Sequence, residues 1–217
     1  MNLWIFDNDG TLYDDSGARK QFNQLLSAYA KNQLGIHPGS LSDLMARLQS
    51  KHETRSSVVA FAREYSIPIE CLIQQTYGLI DLAAAQIATE EHLSETLEQI
   101  GGTKIVFTNS PSQYALRVLR HLGISHHFQN IFGMLEIECQ LKPLLHGYQL
   151  VQKAYPDFKQ SFFVDDKVGN LEGGGKMGWS CMLYDPHGLN QSQETRLKSL
   201  MDLRTIAQEV EVLNGDL

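Results

Sequence analysis

The chain has 217 residues, of which 42% are hydrophobic and 20% charged, as is typical of one large globular domain or a domain with an insertion. Its formal net charge of −7 and the lack of a basic block argue against a nucleic acid polymer as partner. No apolar stretch approaches the roughly 18 residues of a membrane span, so no membrane partner is expected. Three scattered cysteines (Cys71, Cys139 and Cys181) and an apolar start too short for a signal peptide predict a cytoplasmic protein.

Two acidic residues follow the first apolar run. Residues 3–6 predict a buried strand, and Asp7 and Asp9 come directly after it. Side chains two residues apart on an extended backbone leave on the same side, so the two carboxylates are expected close together. At about 4 Å they would repel by roughly 4 kcal/mol at an effective dielectric near 20. That cost indicates a metal or acid–base site, with an ordinary β-turn as the alternative.

Residues 16–98 have apolar positions at helical spacing and contain no convincing strand. The first predicted helix includes Phe22, Leu25, Leu26 and Tyr29 and ends at Gly35. The further predicted helices cover residues 41–48, 56–65, 70–88 and 91–100. Because the block follows the first strand, it is most simply an insertion beside the carboxyl end of that strand, where open α/β sheets bind ligands. We therefore expect an all-helical cap over the active site.

From residue 99 onward, short apolar runs alternate with helical segments. The predicted strands lie at 104–107, 131–134, 161–164 and 180–184. The predicted helices lie at 114–122, 143–154 and 191–213. This alternation indicates an α/β protein with a Rossmann-like, doubly wound parallel sheet. The predicted domains are an α/β core of residues 1–15 and 99–217 and a helical cap of residues 16–98.

Three residues occupy positions suited to holding an anion. Thr108 and Asn109 follow the strand at 104–107 and precede a helix, so a hydroxyl and backbone N–H groups would form a phosphate cradle. A simple helix-capping sequence is the alternative. Lys142, at the predicted start of another helix, would supply positive charge beside an acidic cluster and a phosphate, although most lysines are solvated surface groups.

A second acidic pair ends the strand at 161–164. Asp165 and Asp166 follow a fully apolar run, where a solvated face is a poor explanation. Together with Asp7 they form an all-oxygen site of the kind that Mg²⁺ prefers. Asn170, four residues after Asp166, is expected to orient a carboxylate or a water molecule.

These segments resemble the motifs of a known enzyme family. The four motifs of the haloacid dehalogenase (HAD) superfamily are similar, in the same order, to Asp7-Asn8-Asp9-Gly10-Thr11-Leu12, Thr108-Asn109-Ser110, Lys142-Pro143 and Val164-Asp165-Asp166…Asn170. The resemblance spans the whole Rossmann-like core. The helical insertion and the last three motifs resemble subfamily I with a helical C1-type cap, closest to the pyrimidine 5′-nucleotidase branch.

The resemblance implies a phosphomonoesterase. Asp7 would attack phosphorus and become an aspartyl phosphate, while Asp9 would protonate the leaving oxygen and then activate water. Thr108 and the backbone near Asn109 would hold the phosphoryl oxygens, and Lys142 would neutralise charge.

The resemblance also implies a Mg²⁺ site. The ligands would be the Asp7 carboxylate, the Asp9 carbonyl and Asp166. Asp165 would either coordinate the ion directly or contact one of its ligands. Which residue of the pair Asp165 and Asp166 binds the ion directly stays open. Asn8 stands where the family usually has an apolar residue. Its side chain is expected to point away from the site and to affect local packing only.

The expected partner is a small phosphorylated metabolite, with a nucleoside 5′-monophosphate as the leading substrate. Phosphoglycolate, a sugar phosphate or a phosphomutase reaction are alternatives. Asp9 argues against dehalogenation, because a halide leaves without a proton donor. A signalling receiver domain has its acidic pair before its phosphorylated aspartate, the reverse of the order here. A non-catalytic phosphate-binding relative is a further alternative.

Overall fold

The computed structural model describes residues 1–37, 39–190 and 195–215. The chain divides into two compact units, one formed by Met1–Asp14 with Ala88–Leu217 and the other by Asp15–Ile87. None of the helices within the described residues has the length and apolar character that a bilayer span requires.

The regular elements of the second unit are all helices within its described residues. Its helices are α1 (Ser16–Leu34), α2 (Leu41–Lys51), α3 (Ser57–Glu64) and α4 (Ile69–Gln75). The hydroxyls of Ser40 and Ser56 accept from backbone N–H groups in the first turns of α2 and α3, which satisfies otherwise unpaired donors there.

The first unit is built on a parallel sheet with the strand order β3-β2-β1-β4-β5-β6 among the described residues. The strands are β1 (Asn2–Phe6), β2 (Thr103–Phe107), β3 (Asn130–Phe132), β4 (Gln160–Asp165), β5 (Ser180–Tyr184) and β6 (Arg196–Leu197). The central strands are buried along most of their length, because continuous apolar runs suit a sheet that is covered on both faces. The predicted doubly wound parallel sheet is confirmed.

The first unit also contains five α-helices among its described residues, and the last of them follows β6. They are α5 (Leu93–Gln99), α6 (Ser112–His121), α7 (Leu145–Ala154), α8 (Val168–Lys176) and α9 (Leu203–Gly215). Leu93 and Leu97 of α5 belong to the same buried cluster as Trp4 and Phe6 of β1. The helical unit is therefore shorter than the insertion predicted at 16–98, since α5 packs into the α/β core.

Two predicted helices differ from the structure. The helix predicted at 70–88 ends at Gln75, because the backbone turns at Thr76, whose hydroxyl donates to the Leu72 carbonyl at 2.6 Å. The helix predicted at 191–213 is wrong at its start, because Arg196–Leu197 pairs with β5 as an edge strand and α9 begins only at Leu203. Residues 191–194 of that prediction lie outside the described residues.

The order of the strands positions the functional edge. β1 lies between β2 and β4, so the chain leaves the centre of the sheet in one direction and later returns to the other side of β1. The stacked rings of Trp4 and Phe162, with centroids 4.3 Å apart, pack β1 against β4. A ligand site is expected at such a switch point, outside the carboxyl ends of the strands.

Candidate active site

Asp7 and Thr108 directly follow the adjacent strands β1 and β2, and backbone pairing continues into both residues. The Asp7 N–H donates to the Val164 carbonyl at 2.9 Å, which extends the pairing of β1 with β4. The Thr108 N–H donates to the Phe132 carbonyl at 2.9 Å, which extends the pairing of β2 with β3. Asp7 and Thr108 are therefore held at the sheet edge by their own main chain, and both are buried.

Lys142 joins two of the aspartates. Its Nζ atom donates to Asp7 Oδ1 at 2.9 Å, to Asp165 Oδ2 at 2.7 Å and to the Phe107 carbonyl at 2.7 Å. These three bonds use all three donors of the ammonium group. Burial alone would lower the pKa of Lys142, but the charges of Asp165 and Asp7 outweigh it and raise that pKa, so the side chain stays cationic.

Asn109 fixes the backbone of Lys142. Its side-chain Oδ1 accepts from the Lys142 N–H at 2.8 Å, and its Nδ2 donates to the Lys142 carbonyl at 3.1 Å. The aromatic rings of Phe107 and Phe163 also flank the ammonium, with Nζ to centroid distances of 5.1 and 5.3 Å. The side-chain amide of Asn109 is thus used to bind the backbone of Lys142. A phosphate contact at this position would therefore come from the backbone of Asn109.

Asp165 is completely buried, and both of its oxygens are engaged. Besides Lys142, it accepts from Asn170 Nδ2 at 2.9 and 3.0 Å and from the Lys167 N–H at 2.9 Å. The Tyr148 hydroxyl donates to the Asn170 carbonyl at 2.7 Å and so anchors the first turn of α8. Asn170 was expected to orient a carboxylate, and in the structure it orients that of Asp165.

Asp166 is placed differently from its neighbour. It is partly exposed, and Lys167 Nζ donates to its Oδ1 at 3.1 Å. Its Oδ2 faces Gly10, where an added Cβ would lie only 2.7 Å away, so the loop after β1 approaches Asp166 more closely than a larger residue would allow. Burial and the charge of Asp7 raise the pKa of Asp166.

Three of these carboxylates form a group that suits a cation. Asp7, Asp165 and Asp166 each offer a carboxylate oxygen, and these oxygens lie within 4.8 Å of one another. An all-oxygen set of this kind matches the ligand preference of Mg²⁺. Burial first, and then the negative charge of Asp7, raise the pKa of Asp166, and a bound cation would favour its ionised form. The residues present therefore fit a divalent metal ion.

Asp9 has different partners from Asp7. Thr108 Oγ1 donates to Asp9 Oδ2 at 3.0 Å, and the Tyr13 hydroxyl donates to Asp9 Oδ1 at 2.5 Å. The hydroxyls of Tyr13 and Tyr114 lie 3.0 Å apart. Neither tyrosine belongs to a motif that is recognisable in the sequence. The one available signal was the position of Tyr13, four residues after Asp9 across a glycine turn.

Asn8 lies between the two aspartates and is fully buried. Neither polar atom of its side chain has a hydrogen-bond partner among the described residues, and the same holds for the hydroxyl of Thr11. The Asn8 carbonyl accepts from the Leu12 N–H at 3.0 Å, which closes the turn. The amide of Asn8 is thus buried without the bonds that normally compensate such a group.

The family of the chain follows from its sequence. A family model of haloacid dehalogenase-like hydrolases matches residues 1–178. Since this match spans most of the chain, the protein belongs to the haloacid dehalogenase-like hydrolases. A search of curated proteins finds no significant match.

Solved structures of this superfamily share the fold. The 2-haloacid dehalogenase of Pseudomonas syringae pv. tomato DC3000 is similar at a TM-score of 0.66 and 18% identity, over 96% of this chain and 99% of that one. A HAD phosphatase from Thermococcus onnurineus has a TM-score of 0.65 and 17% identity, over 95% and 97%. The HAD hydrolase YfnB of Bacillus subtilis, solved bound to magnesium, has a TM-score of 0.59 and 17% identity, over 95% and 98%. These identities establish a shared fold.

Proposed function

We propose that this hydrolase is a Mg²⁺-dependent phosphomonoesterase that works through an aspartyl phosphate on Asp7. The observation that carries the proposal is the division of partners between Asp7 and Asp9. Asp7 contacts an ammonium group, which suits a nucleophile that reacts as the carboxylate. Asp9 contacts the hydroxyls of Thr108 and Tyr13, which leaves it suited to gain and lose a proton.

The chemistry then takes two steps. An Asp7 oxygen attacks phosphorus, the ester P–O bond breaks, and the leaving oxygen takes a proton from the Asp9 carboxyl group. A water molecule then gives a proton to Asp9 and attacks phosphorus, the bond from phosphorus to Asp7 breaks, and inorganic phosphate leaves. Lys142 contacts Asp7 throughout and balances the negative charge that accumulates on the phosphoryl group.

The metal would be held by Asp7, by the backbone carbonyl of Asp9 and by Asp166. When bound, Mg²⁺ supplies positive charge against the phosphoryl oxygens. The partial exposure of Asp166 supports it as the direct ligand of the adjacent pair. Asp165 already accepts from Lys142, Lys167 and Asn170, which supports a role in orienting these groups.

The leading substrate is a nucleoside 5′-monophosphate, with a pyrimidine base as the first choice, since the later motifs resemble the pyrimidine 5′-nucleotidase branch. Phosphoglycolate and sugar phosphates come second. Dehalogenation is less well supported, because a halide leaves without being protonated and Asp9 would then have no role as a general acid. A carboxylate held by two hydroxyls beside the nucleophile is what an ester with a poor leaving group requires.

The test measures phosphate release from nucleoside monophosphates, sugar phosphates and phosphoglycolate, with Mg²⁺ or with EDTA. We expect Mg²⁺-dependent release that Asp7→Asn abolishes and that the exposed control Asp157→Asn retains. Acid quenching during turnover, followed by peptide mass spectrometry, should trap a phosphoryl group on Asp7. Absence of release from every ester by folded, Mg²⁺-loaded protein would contradict the proposal. Isomerisation of a sugar phosphate without release would indicate a phosphomutase.

A further inference from the structure

Hydrogen bonds from hydroxyl groups connect Asp9 to the segment after β2 in two separate ways. The first is direct, from Thr108 at the end of β2. The second runs through Tyr13 to Tyr114, which lies on α6. Both tyrosines are buried, at 4% and 3% exposure, so water competes little for these bonds.

The turn after β1 brings Tyr13 back onto Asp9. The Gly10 N–H donates to the Tyr13 carbonyl at 3.1 Å, and Gly10 has a φ of +85°, a conformation that favours glycine. The Tyr13 hydroxyl donates to Asp9, and its oxygen lies 3.0 Å from the Tyr114 hydroxyl. The result is a chain of hydrogen-bonded hydroxyls that links Tyr114 and Tyr13 to Asp9.

We propose that Tyr13 is a positioning residue that fixes the Asp9 carboxyl group for proton transfer to the leaving oxygen, and that Tyr114 holds Tyr13 in place. The inference rests on the proposed phosphomonoesterase function. One Asp9 oxygen accepts from the Thr108 hydroxyl and the other accepts from the Tyr13 hydroxyl, so the carboxyl group is held at both oxygens. Proton transfer needs a separation of about 2.6–3.2 Å between the carboxyl oxygen and the leaving oxygen of the ester. A carboxyl group that is held at both oxygens therefore transfers its proton faster than one that rotates freely.

Tyr13→Phe tests the inference, because it keeps the ring and removes only the hydroxyl. When the Asp9 carboxyl group is poorly positioned, the rate of hydrolysis falls most for esters whose leaving oxygen must be protonated. We expect kcat/KM to fall about tenfold for uridine 5′-monophosphate, or for whichever alkyl phosphate the wild type prefers, and less than twofold for p-nitrophenyl phosphate. This loss is part of the 10²–10⁴-fold contribution typical of general acid catalysis. Tyr114→Phe should show the same pattern at about two- to threefold.

Two controls separate positioning from a structural effect. Tyr184→Phe removes a comparable bond, from the Tyr184 hydroxyl to Glu90 Oε1 at 2.6 Å, outside the acidic cluster. It should change both esters equally and by less than twofold. In an Asp9→Asn background, Tyr13→Phe should have no further effect, since the group that it positions no longer transfers a proton. Thermal unfolding of each variant shows whether the fold is retained.

The outcomes distinguish this inference from the proposed function. Equal losses of kcat/KM for the alkyl and aryl esters in Tyr13→Phe, or a further loss in the Asp9→Asn background, would overturn the positioning role alone. Activity equal to wild type on both esters would do the same. Absence of phosphate release by the folded, Mg²⁺-loaded wild type from every ester tested would overturn both proposals.

Discussion

The Nζ atom of Lys142 lies 2.9 Å from Oδ1 of Asp7, and both side chains are buried. The same ammonium group lies 2.7 Å from Asp165, so one cation separates two carboxylates that would otherwise face each other. A buried ion pair is costly to break when only one partner is removed, because the other is left as an uncompensated charge.

Lys142→Met should therefore destabilise the protein and abolish its activity. We expect a loss of about 3–5 kcal/mol in the free energy of unfolding, measured by urea denaturation at pH 7. The difference from wild type should shrink as the pH falls, because protonation of the stranded carboxylates removes buried charge. Lys153→Met, which changes an exposed lysine on α7, should cost less than about 0.5 kcal/mol. Equal stabilities for the two variants would contradict this account.

Sequence alone placed the parts of the site that follow strands. Asp7, Thr108 and Asp165 each come directly after an apolar run, and parallel strands bring such positions to one edge. The sequence pattern does not reveal pairs of residues that come into contact only through tertiary packing. Tyr13 and Tyr114 are 101 positions apart in the chain, and no local spacing brings their hydroxyls together.

The dependence on long-range contacts also explains why β6 was not predicted from the sequence. This strand has only two residues, Arg196–Leu197, which is too short for a periodicity of its own. Its strand character comes from pairing with β5, where the Asp185 N–H donates to the Leu197 carbonyl at 2.9 Å. The bonds between Asn109 and Lys142 likewise join residues 33 positions apart. In each case a long-range contact, absent from any local pattern, determines the local structure.

Asp166 and Lys167 should have opposite effects on metal binding. Asp166→Asn removes a charged oxygen from the cluster and should weaken Mg²⁺ binding by about 10–100-fold. Lys167→Met removes the ammonium group that now donates to Asp166 Oδ1, and should strengthen binding by about fivefold, because the ion no longer displaces or faces that charge. Calorimetric titration with Mg²⁺ alone measures both effects without substrate.

Lys176→Met provides the matched control for Lys167→Met. It removes an exposed lysine from the last turn of the same helix, α8, and should leave the Mg²⁺ affinity unchanged. Weaker binding in Lys167→Met would show that the lysine supports the site instead of competing with the ion. Unaltered binding in Asp166→Asn would exclude Asp166 as a direct ligand.

Asn8→Leu should stabilise the protein. Leucine has the same number and arrangement of side-chain heavy atoms, and it removes two buried polar atoms that have no partner among the described residues. We expect a gain of about 1–3 kcal/mol in the free energy of unfolding and a kcat within about threefold of wild type. Asn23→Leu, at an exposed position on α1, should change stability by no more than about 0.5 kcal/mol. A loss of stability, or a kcat changed by orders of magnitude, would show that the Asn8 amide has a task that the contacts do not reveal.

Gly173 and Gly175 on α8 should respond in opposite directions to the same substitution. A Cβ at Gly173 would lie 2.5 Å from Cζ of Tyr148, whose hydroxyl holds the Asn170 carbonyl, whereas a Cβ at Gly175 would meet nothing within 4 Å. Gly173→Ala should therefore cost about 1–3 kcal/mol through overpacking and should lower kcat, because Asn170 orients Asp165. Gly175→Ala should gain about 0.5–1 kcal/mol, since alanine favours a helix interior over glycine, and should leave kcat unchanged. Urea denaturation and steady-state kinetics measure both variants. If Gly173→Ala were as stable and active as Gly175→Ala, the packing of Tyr148 against α8 would not support the site.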